Sequence, residues 1–186
     1  MIELTKADEV LKEIERMTED EFLPIIGPDK GRFLVDAFRK VKPKLVLEVG
    51  TLIGYSAILI GKELGSDAQI ITIEIHATEA KKARENIRRA KISPKVDVII
   101  GDALKVIPTL RKCFDAVFID ADKTEYLQYL KLMEDKLHKG TVIVADNAGI
   151  FAGQMHDYLD YVRNHEKYRS KFVKVGEDGV EISSKL

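Results

Sequence analysis

A doubly wound, mostly parallel α/β sheet is the fold class that this sequence of 186 residues predicts. The first observation is a repeating pattern, in which each of five apolar runs is followed by a longer, more polar stretch with helical spacing. The second is that the runs are continuous in Val and Ile instead of alternating, as in strands covered on both faces. The third is a glycine turn directly behind the first run, where a strand would break into a helix.

The first part of the chain predicts helices. Apolar residues recur at helical spacing from about residue 6 to 17 and again from about residue 31 to 40. Three helix-breaking residues separate the two segments: Pro24, Gly27 and Pro28. We therefore expect a helical N-terminal extension over residues 1–42 of a single domain that comprises residues 1–186.

The apolar runs define the expected strands: 45–49, 70–73, 96–100, 116–119 and 142–145. Behind them, residues 155–164 predict a helix, and residues 172–175 and 180–184 predict two further strands. The segment between these two strands, 176–179, contains an Asp-Gly dipeptide, which is typical of a hairpin turn. We expect this antiparallel hairpin to close the parallel sheet at one edge.

Composition and charge exclude several classes of protein. The 30 basic and 31 acidic residues give a formal net charge of -1, so no strong overall field attracts nucleic acid or an anionic membrane. The single cysteine, Cys113, cannot form an internal disulfide, and we expect it to be a small buried residue in a reducing compartment. No stretch approaches the roughly 20 apolar residues of a membrane span, and the first residues lack the apolar core of a signal peptide. These observations predict a cytoplasmic protein without a membrane partner.

The turn at residues 50–54 narrows the kind of cofactor. It lacks both the third glycine of a dinucleotide site and the Lys of a phosphate-binding loop, so a pyrophosphate is not the expected ligand. Glu48 is costly to bury without a partner, which a cationic group of a cofactor could supply. Glu74 ends the second run, where a carboxylate can accept both ribose hydroxyls, although it could also be a solvated loop acid. Asp102 ends the third run and could either border an adenine or cap the helix behind it.

Oxygen-bearing side chains follow the fourth and fifth runs. Asp120, Asp122 and Lys123 come after the fourth, and Asp146 and Asn147 after the fifth. Two carboxylates and an amide suit a hard divalent ion such as Mg²⁺, and the lack of Cys or an adjacent His argues against zinc. The Asp-Asn pair could instead form an Asx-type turn. Lys123 is either a solvated lysine or, beside a cation, a candidate general base.

Several of these motifs, taken in chain order, resemble one enzyme family. The segments are Glu48-Val49-Gly50-Thr51 with Gly54-Tyr55-Ser56-Ala57, Ile73-Glu74-Ile75, Gly101-Asp102-Ala103, Phe118 to Tyr126 with its Asp-Ala-Asp-Lys, and Ala145-Asp146-Asn147. From about Gly31 onward the chain resembles the S-adenosylmethionine-dependent, cation-dependent O-methyltransferases typified by catechol and caffeoyl-CoA O-methyltransferases. The resemblance implies the Rossmann-like class I methyltransferase fold.

The resemblance also implies roles for individual residues. Residues expected to bind S-adenosylmethionine are Glu48, Gly50, Tyr55, Ser56, Glu74, Gly101, Asp102, Ala103 and Asp120. Those expected to bind a divalent cation, taken as Mg²⁺, are Asp120, Asp146 and Asn147. Lys123 matches the family's catalytic lysine, which removes a proton from the acceptor hydroxyl, and Asp120 is assigned to catalysis with it.

Two departures from the family pattern concern the acceptor and the assembly. The chain has no Trp, and the segment after Asn147 leads quickly into a helix, whereas family members carry a bulky loop there. The region before Gly31, which in the family covers the substrate and contributes to a homodimer, is short. A homodimer is nevertheless the expected assembly.

The expected acceptor is a small catechol-like molecule with vicinal oxygens. One alternative is a hydroxylated uridine of tRNA, with a basic patch at residues 81–91 that could equally be a solvated helix face balanced by acids. A second is a protein that binds S-adenosylmethionine without turnover. An NAD-dependent dehydrogenase is the alternative on fold alone.

Overall fold

The computed structural model describes residues 4–186, which form a seven-stranded sheet flanked by helices. The helices are α1 (Lys6–Asp20), α2 (Gly27–Val41), α3 (Tyr55–Gly61), α4 (Ala77–Ala90), α5 (Ala103–Val106), α6 (Tyr126–Met133) and α7 (His156–Asn164). The strands are β1 (Leu45–Val49), β2 (Gln69–Glu74), β3 (Lys95–Ile100), β4 (Phe114–Ile119), β5 (Leu137–Ala145), β6 (Tyr168–Val175) and β7 (Asp178–Lys185). Short 3₁₀ turns lie at 107–109, 123–125 and 134–136.

The strand order is β3-β2-β1-β4-β5-β7-β6. Strands β1 to β5 are parallel, whereas β7 runs antiparallel to both β5 and β6. The order reverses at β1 and β4, where the chain leaves one half of the sheet for the other, and ligands bind at such switch points in open α/β sheets. The predicted fold class, with its parallel sheet, closing hairpin and N-terminal helices, is confirmed.

Both faces of the sheet are covered, as the continuous apolar runs predict. Leu47 and Val49 of β1 belong to the core under α5, α6 and α7, whereas Val46 belongs to the core under α1 to α4. All three side chains are at most 1% exposed. Burying a Val or Leu contributes roughly 1.5–3 kcal/mol, so these strands are held mainly by the two helical layers.

The second N-terminal helix is longer than predicted. We expected Gly27 and Pro28 to separate the helices, but α2 begins at Gly27 and Pro28 lies in its first turn. Proline is compatible with this place, because the N–H groups of the first turn have no partner within the helix. The correction matters for the site, because it places Lys30 on a helix and not in a loop.

Three further predictions are corrected at the C-terminal half of the chain. Strand β5 begins at Leu137, five residues before the predicted start. Its first residues are mostly polar, so they lack the apolar pattern of a strand, and the pairing with β4 shifts register there. The hairpin turns at Gly176 and Glu177, with Gly176 at φ 60°, so Asp178 is the first residue of β7. Cys113 is exposed instead of buried.

Within residues 4–186, no helix is long and apolar enough to cross a membrane.

Candidate active site

A cavity of about 880 Å³ opens at the carboxyl ends of the parallel strands. All but one of the residues predicted to form the site border it: Gly50, Tyr55, Ser56, Glu74, Gly101, Asp102, Ala103, Asp120, Lys123, Asp146 and Asn147. The exception is Glu48. The loops behind β1, β2, β3, β4 and β5 therefore converge on one site, as the strand-end reasoning predicts.

The glycine turn allows two strand ends to approach each other. Gly50 has φ 96°, and a Cβ atom built on it would lie 2.0 Å from the backbone oxygen of Asp120. Gly54 has φ 89°, and its Cβ would lie 3.3 Å from Ala83 Cα of α4. A side chain at either position would be strained by the backbone conformation alone. The two glycines thus let the turn pack directly against Asp120 and against α4.

Glu48 lies behind the cavity wall and not in it. Its carboxylate is fully buried and accepts hydrogen bonds from Ser56 Oγ at 2.5 Å and from Thr72 Oγ1. Burial raises the pKa of Glu48 to about 7, and the nearby charges of Asp120 and Glu74 add to this, while the two hydroxyl donors oppose it. The partners of Glu48 are therefore hydroxyl groups of the protein, and the carboxylate fixes Ser56 at the cavity edge.

Glu74 is a buried acid, only 6% exposed, and not a solvated loop residue. The backbone N–H of Leu52 donates to its Oε2 at 2.7 Å, and that of His76 donates to its Oε1 at 2.9 Å. These bonds hold the carboxylate at the cavity edge, and each oxygen keeps a lone pair for a further donor. Asp102 Oδ1 caps α5 by accepting from the Leu104 N–H, which is one of its two predicted roles, and the residue also borders the cavity.

Tyr55 borders the cavity with its ring, but its hydroxyl is turned away to α1. The hydroxyl donates to Glu15 Oε1 at 2.7 Å. Burial raises the pKa of Tyr55 above its usual value, and the Glu15 charge adds to the shift. The hydroxyl thus ties the first helix to the glycine turn.

Asp120 and Lys123 form one ion pair at the end of β4. Lys123 Nζ lies 2.8 Å from Asp120 Oδ1 and donates to the Tyr126 hydroxyl at 3.0 Å. Tyr126 is fully buried, and burial together with the charges of Asp120 and Asp146 raises its pKa well above its usual value. A neutral phenol here helps to hold the lysine in one place.

Asp146 ends β5 and is 2% exposed. Burial raises its pKa to about 7, and the charge of Asp120 adds to this, whereas Lys30 opposes it. Lys30 Nζ lies 2.7 Å from Asp146 Oδ1, but in a direction that makes no hydrogen bond, so this buried oxygen has none. Asp146 and Asp120 are thus held close together, and the cost of burying them is offset by Lys30 and Lys123.

Asn147 is held in a left-handed conformation, with φ 61°, by a partner from the hairpin. Its Nδ2 donates to Asp178 Oδ2 at 2.9 Å, and the N–H groups of Gly149 and Ile150 donate to Asp178 Oδ1 at 3.1 Å each. Because the amide nitrogen is engaged, Oδ1 is the side-chain atom of Asn147 left to accept a donor or a cation. Asp178 thereby orders the segment behind Asn147.

The donor set at this end of the cavity fits a hard divalent cation. It offers two carboxylates, from Asp120 and Asp146, and the amide oxygen of Asn147, and such oxygen ligands suit Mg²⁺. Within residues 4–186, no group of three or more His, Cys, Asp or Glu side chains is arranged to hold a metal ion, so a cation would need the amide and other oxygens as well. The buried Asp146 oxygen without a hydrogen bond is the observation that favours a cation here.

The sequence pattern does not indicate two residues that contact the site. Lys30 lies before the helical periodicity that predicts α2, and Asp178 is predicted only as part of a hairpin turn. The Asp-Gly dipeptide correctly predicts a hairpin, but it does not indicate that the carboxylate of Asp178 contacts Asn147.

The mouth of the cavity beside these residues is apolar. Phe22, 94% exposed, and Pro24 come from the connection between α1 and α2. Ile150, 57% exposed, and Phe151 follow Asn147 on the other side. These four side chains make this part of the cavity lining apolar.

The basic segment of α4 is balanced by neighbouring groups. Four of its side chains have partners: Lys82 with Glu79, Arg84 with the Val98 carbonyl, Arg88 with Glu85, and Arg89 with Glu13. This pairing favours a solvated helix face over a surface built for a polyanion.

Comparisons with known proteins agree with the fold and the motifs. The sequence profile of the family described as O-methyltransferase matches residues 3–180. The chain is 38% identical to catechol O-methyltransferase B from Danio rerio over 171 residues, which covers 85% of this chain and 64% of that protein. It is 37% identical to catechol O-methyltransferase from Mycobacterium tuberculosis over 123 residues, covering 66% of this chain and 56% of that protein. The chain thus matches less than two thirds of the length of these curated relatives.

A solved structure is similar over the whole chain. The O-methyltransferase from Bacillus cereus, crystallised in complex with SAH, superposes with a TM-score of 0.85 at 26% identity, covering 100% of this chain and 93% of that one. Because the family profile covers nearly the entire sequence and the cavity lies where the family motifs converge, the chain belongs to the O-methyltransferase family.

Proposed function

We propose that this protein is an enzyme that transfers the methyl group of S-adenosylmethionine to a hydroxyl oxygen of a small catechol-like acceptor. A divalent cation, Mg²⁺ in view of the oxygen donors, would be the second cofactor. The observation that carries the proposal is the order of the strand ends along one cavity. The glycine turn and Glu74 lie at the ends of β1 and β2, and Asp120, Lys123 and Asp146 lie at the ends of β4 and β5.

The cofactor end suits a nucleoside with a charged side chain. Glu74 is held by two backbone N–H groups and retains lone pairs for the ribose hydroxyls. Ala103, with Gly101 and Asp102 before it, would lie against the adenine, and Gly50 and Ser56 against the methionine part. Glu48 acts on this end indirectly, because it positions Ser56. The Bacillus cereus relative, solved with SAH, supports the choice of cofactor.

The acceptor end suits a molecule with two adjacent oxygens. Asp120, Asp146 and Asn147 would hold the cation, which would acidify a hydroxyl beside it. To act as a base, Lys123 Nζ would have to be the neutral amine, and it would then take the proton of that hydroxyl. The hydroxyl oxygen would form a bond to the methyl carbon as the carbon–sulfur bond of S-adenosylmethionine breaks, and S-adenosylhomocysteine would leave. The contacts of Lys123 with Asp120 and the Tyr126 hydroxyl hold Nζ in place for this step.

The apolar mouth supports an aromatic acceptor over tRNA. Phe22 and Ile150 offer two apolar surfaces for a ring, and the basic residues of α4 are largely paired with acids. The names of the relatives from Danio rerio and Mycobacterium tuberculosis also favour a catechol-like acceptor. An NAD-dependent dehydrogenase is the alternative on fold alone, and membership of the O-methyltransferase family argues against it. A single domain, a cytoplasmic location and a homodimer remain part of the proposal.

The test is transfer of labelled methyl groups. Purified protein with labelled S-adenosylmethionine and Mg²⁺ is incubated with a catechol panel or with unmodified and hydroxylated tRNA, with and without EDTA. We expect labelled catechols and no transfer with EDTA. Transfer that survives EDTA or Asp146→Ala would contradict the cation, and labelling of hydroxylated tRNA alone would support the alternative acceptor. Binding of S-adenosylhomocysteine without any transfer would point to a protein without turnover, and no binding by calorimetry would remove the methyltransferase proposal.

A further inference from the structure

Lys30 joins two carboxylates from distant elements. It lies in the first turn of α2 with its side chain 14% exposed, and its Nζ is 2.7 Å from Asp146 Oδ1 and 2.7 Å from Asp178 Oδ2. Asp146 ends β5 and Asp178 begins β7. One ammonium group is therefore shared by an acid of the proposed cation site and an acid outside it.

The two lysines of the site balance its two cation-site carboxylates. Lys123 pairs with Asp120 at 2.8 Å, as Lys30 pairs with Asp146 at 2.7 Å. The burial of Asp146 beside Asp120 would be costly without these positive charges. In the protein without a divalent cation, Lys30 thus supplies positive charge where a divalent ion would supply it.

The two contacts of Lys30 differ in quality. Toward Asp178 the ammonium makes a hydrogen bond of good geometry, whereas toward Asp146 Oδ1 the approach makes none. Asp178 is also fixed by the N–H groups of Gly149 and Ile150, so its position does not depend on Lys30. Lys30 therefore makes a directed hydrogen bond to Asp178 and an ion pair, at the same distance, with the more deeply buried Asp146.

We propose that Lys30 is a built-in counter-cation that competes with a divalent cation for Asp146, and that Asp178 is the carboxylate that retains Lys30 when the cation binds. This inference rests on the cation of the proposed function. The physical reason is repulsion, since an ammonium and a divalent ion on the same buried carboxylate oppose each other at short range.

The proposal predicts a specific pattern of coupling. Removing the charge of Lys30 should tighten cation binding, because the competitor is lost. Removing the charge of Asp178 should weaken cation binding, because Lys30 is then left with Asp146 alone. Without Lys30, however, the loss of Asp178 should matter little, and such non-additivity is what a double-mutant cycle measures.

The experiment is a titration of the full chain with Mn²⁺, followed by electron paramagnetic resonance of the free ion. The cycle comprises the unmodified protein, Lys30→Met, Asp178→Asn and the double variant. We expect Lys30→Met to bind Mn²⁺ at least about tenfold more tightly, and Asp178→Asn at least about fivefold more weakly. In the Lys30→Met background, Asp178→Asn should change the affinity less than about twofold. Circular dichroism checks that each variant folds. If Lys30→Met does not fold, Lys30→Gln replaces it in the cycle, and we expect the same tightening of Mn²⁺ binding.

A matched control separates local competition from net charge. Lys62 forms an ion pair with Asp8 between α3 and α1, away from the site, so Lys62→Met also removes one positive charge and one inter-helix ion pair. We expect it to leave Mn²⁺ affinity unchanged. Equal tightening by Lys62→Met would overturn the proposal, because net charge alone would then explain the effect.

Failure of the inference can be told apart from failure of the cation itself. If the unmodified protein binds Mn²⁺ and Asp146→Asn does not, but Lys30→Met binds no more tightly, the inference is overturned and the cation stands. If Asp178→Asn weakens binding equally in both backgrounds, Asp178 acts only by ordering its loop and the shared counter-cation is overturned. If neither the unmodified protein nor Lys30→Met binds Mn²⁺, both the inference and the proposed cation are overturned.

Discussion

The backbone oxygen of Asp120 fills the space beside Gly50 where any other residue would carry its Cβ atom. A Cβ built on Gly50 would lie only 2.0 Å from that oxygen. The contact joins the ends of β1 and β4, which are neighbours in the sheet. The proposed cofactor end and the proposed acceptor end of the cavity therefore meet at this backbone contact.

Gly50→Ala should disrupt this junction. The added methyl group would meet Asp120 at far less than van der Waals distance, and φ 96° is itself unfavourable for alanine. We expect a loss of about 3 kcal/mol or more in the free energy of unfolding, measured by urea denaturation. Gly153→Ala is the control, since a Cβ there meets nothing within 4 Å, and it should change stability by less than about 0.5 kcal/mol. Equal effects of the two variants would show that the contact with Asp120 is not constrained.

Glu48 should make stability fall as the pH rises. Its pKa is raised from 4.5 to about 7 by burial, so the folded protein favours the protonated form, and this contribution is lost as the pH rises from about 4.5 through about 7. Glu48→Gln cannot ionise. We expect the stability of Glu48→Gln relative to the unmodified protein to improve by about 3 kcal/mol between pH 4.5 and pH 8.5.

Urea denaturation at a series of pH values measures this difference, and other titrating groups largely cancel between the two proteins. A difference that stays constant with pH would mean that Glu48 titrates normally. Glu85→Gln is a suitable comparison, because the hydrogen bond from Arg88 holds the pKa of Glu85 below its usual value, so any pH-dependent difference should have the opposite sign.

Lys123→Met should separate chemistry from cofactor binding. The variant loses the proposed proton acceptor but leaves Glu74 and the glycine turn untouched, so we expect kcat to fall by about 10²- to 10⁴-fold. The Kd for S-adenosylhomocysteine, measured by calorimetry, should change less than about threefold. Lys131→Met on α6, whose ammonium lies over the Tyr161 ring away from the cavity, should retain activity. Retained kcat in Lys123→Met would exclude Lys123 as the base.

Phe22→Ala should alter acceptor binding alone. Phe22 is 94% exposed at the mouth of the cavity, on the side where the acceptor is proposed to bind. We expect the KM for a catechol acceptor to rise by about five- to tenfold, since stacking on one aromatic side chain contributes roughly 1 kcal/mol, with the Kd for S-adenosylhomocysteine unchanged. Leu186→Ala removes an exposed apolar side chain elsewhere and should change neither value. An unaltered KM in Phe22→Ala would place the acceptor elsewhere.

The strands and the site residues that follow them were predictable because burial on both faces and the βαβ rhythm leave a strong local pattern. Gly50, Glu74 and Asp146 all lie at strand ends, and the topology brings such ends together. Lys30 and Asp178 leave no such pattern, because their role depends on a contact between the second helix and the hairpin. Likewise, sequence could indicate that Glu48 needs a partner, but not that hydroxyl groups would provide it.

The contact between Lys30 and Asp178 spans 148 positions of the chain. During synthesis, the residues from α1 to β5 leave the ribosome before the hairpin exists, and their local βαβ units can already pair. The contacts of Asp178 with Lys30 and Asn147 can form only after β7 has paired with the edge of β5. We therefore expect sheet formation to precede completion of the site. A nascent chain halted before the hairpin would then carry the parallel strands without the Asp178 contacts that order the segment behind Asn147.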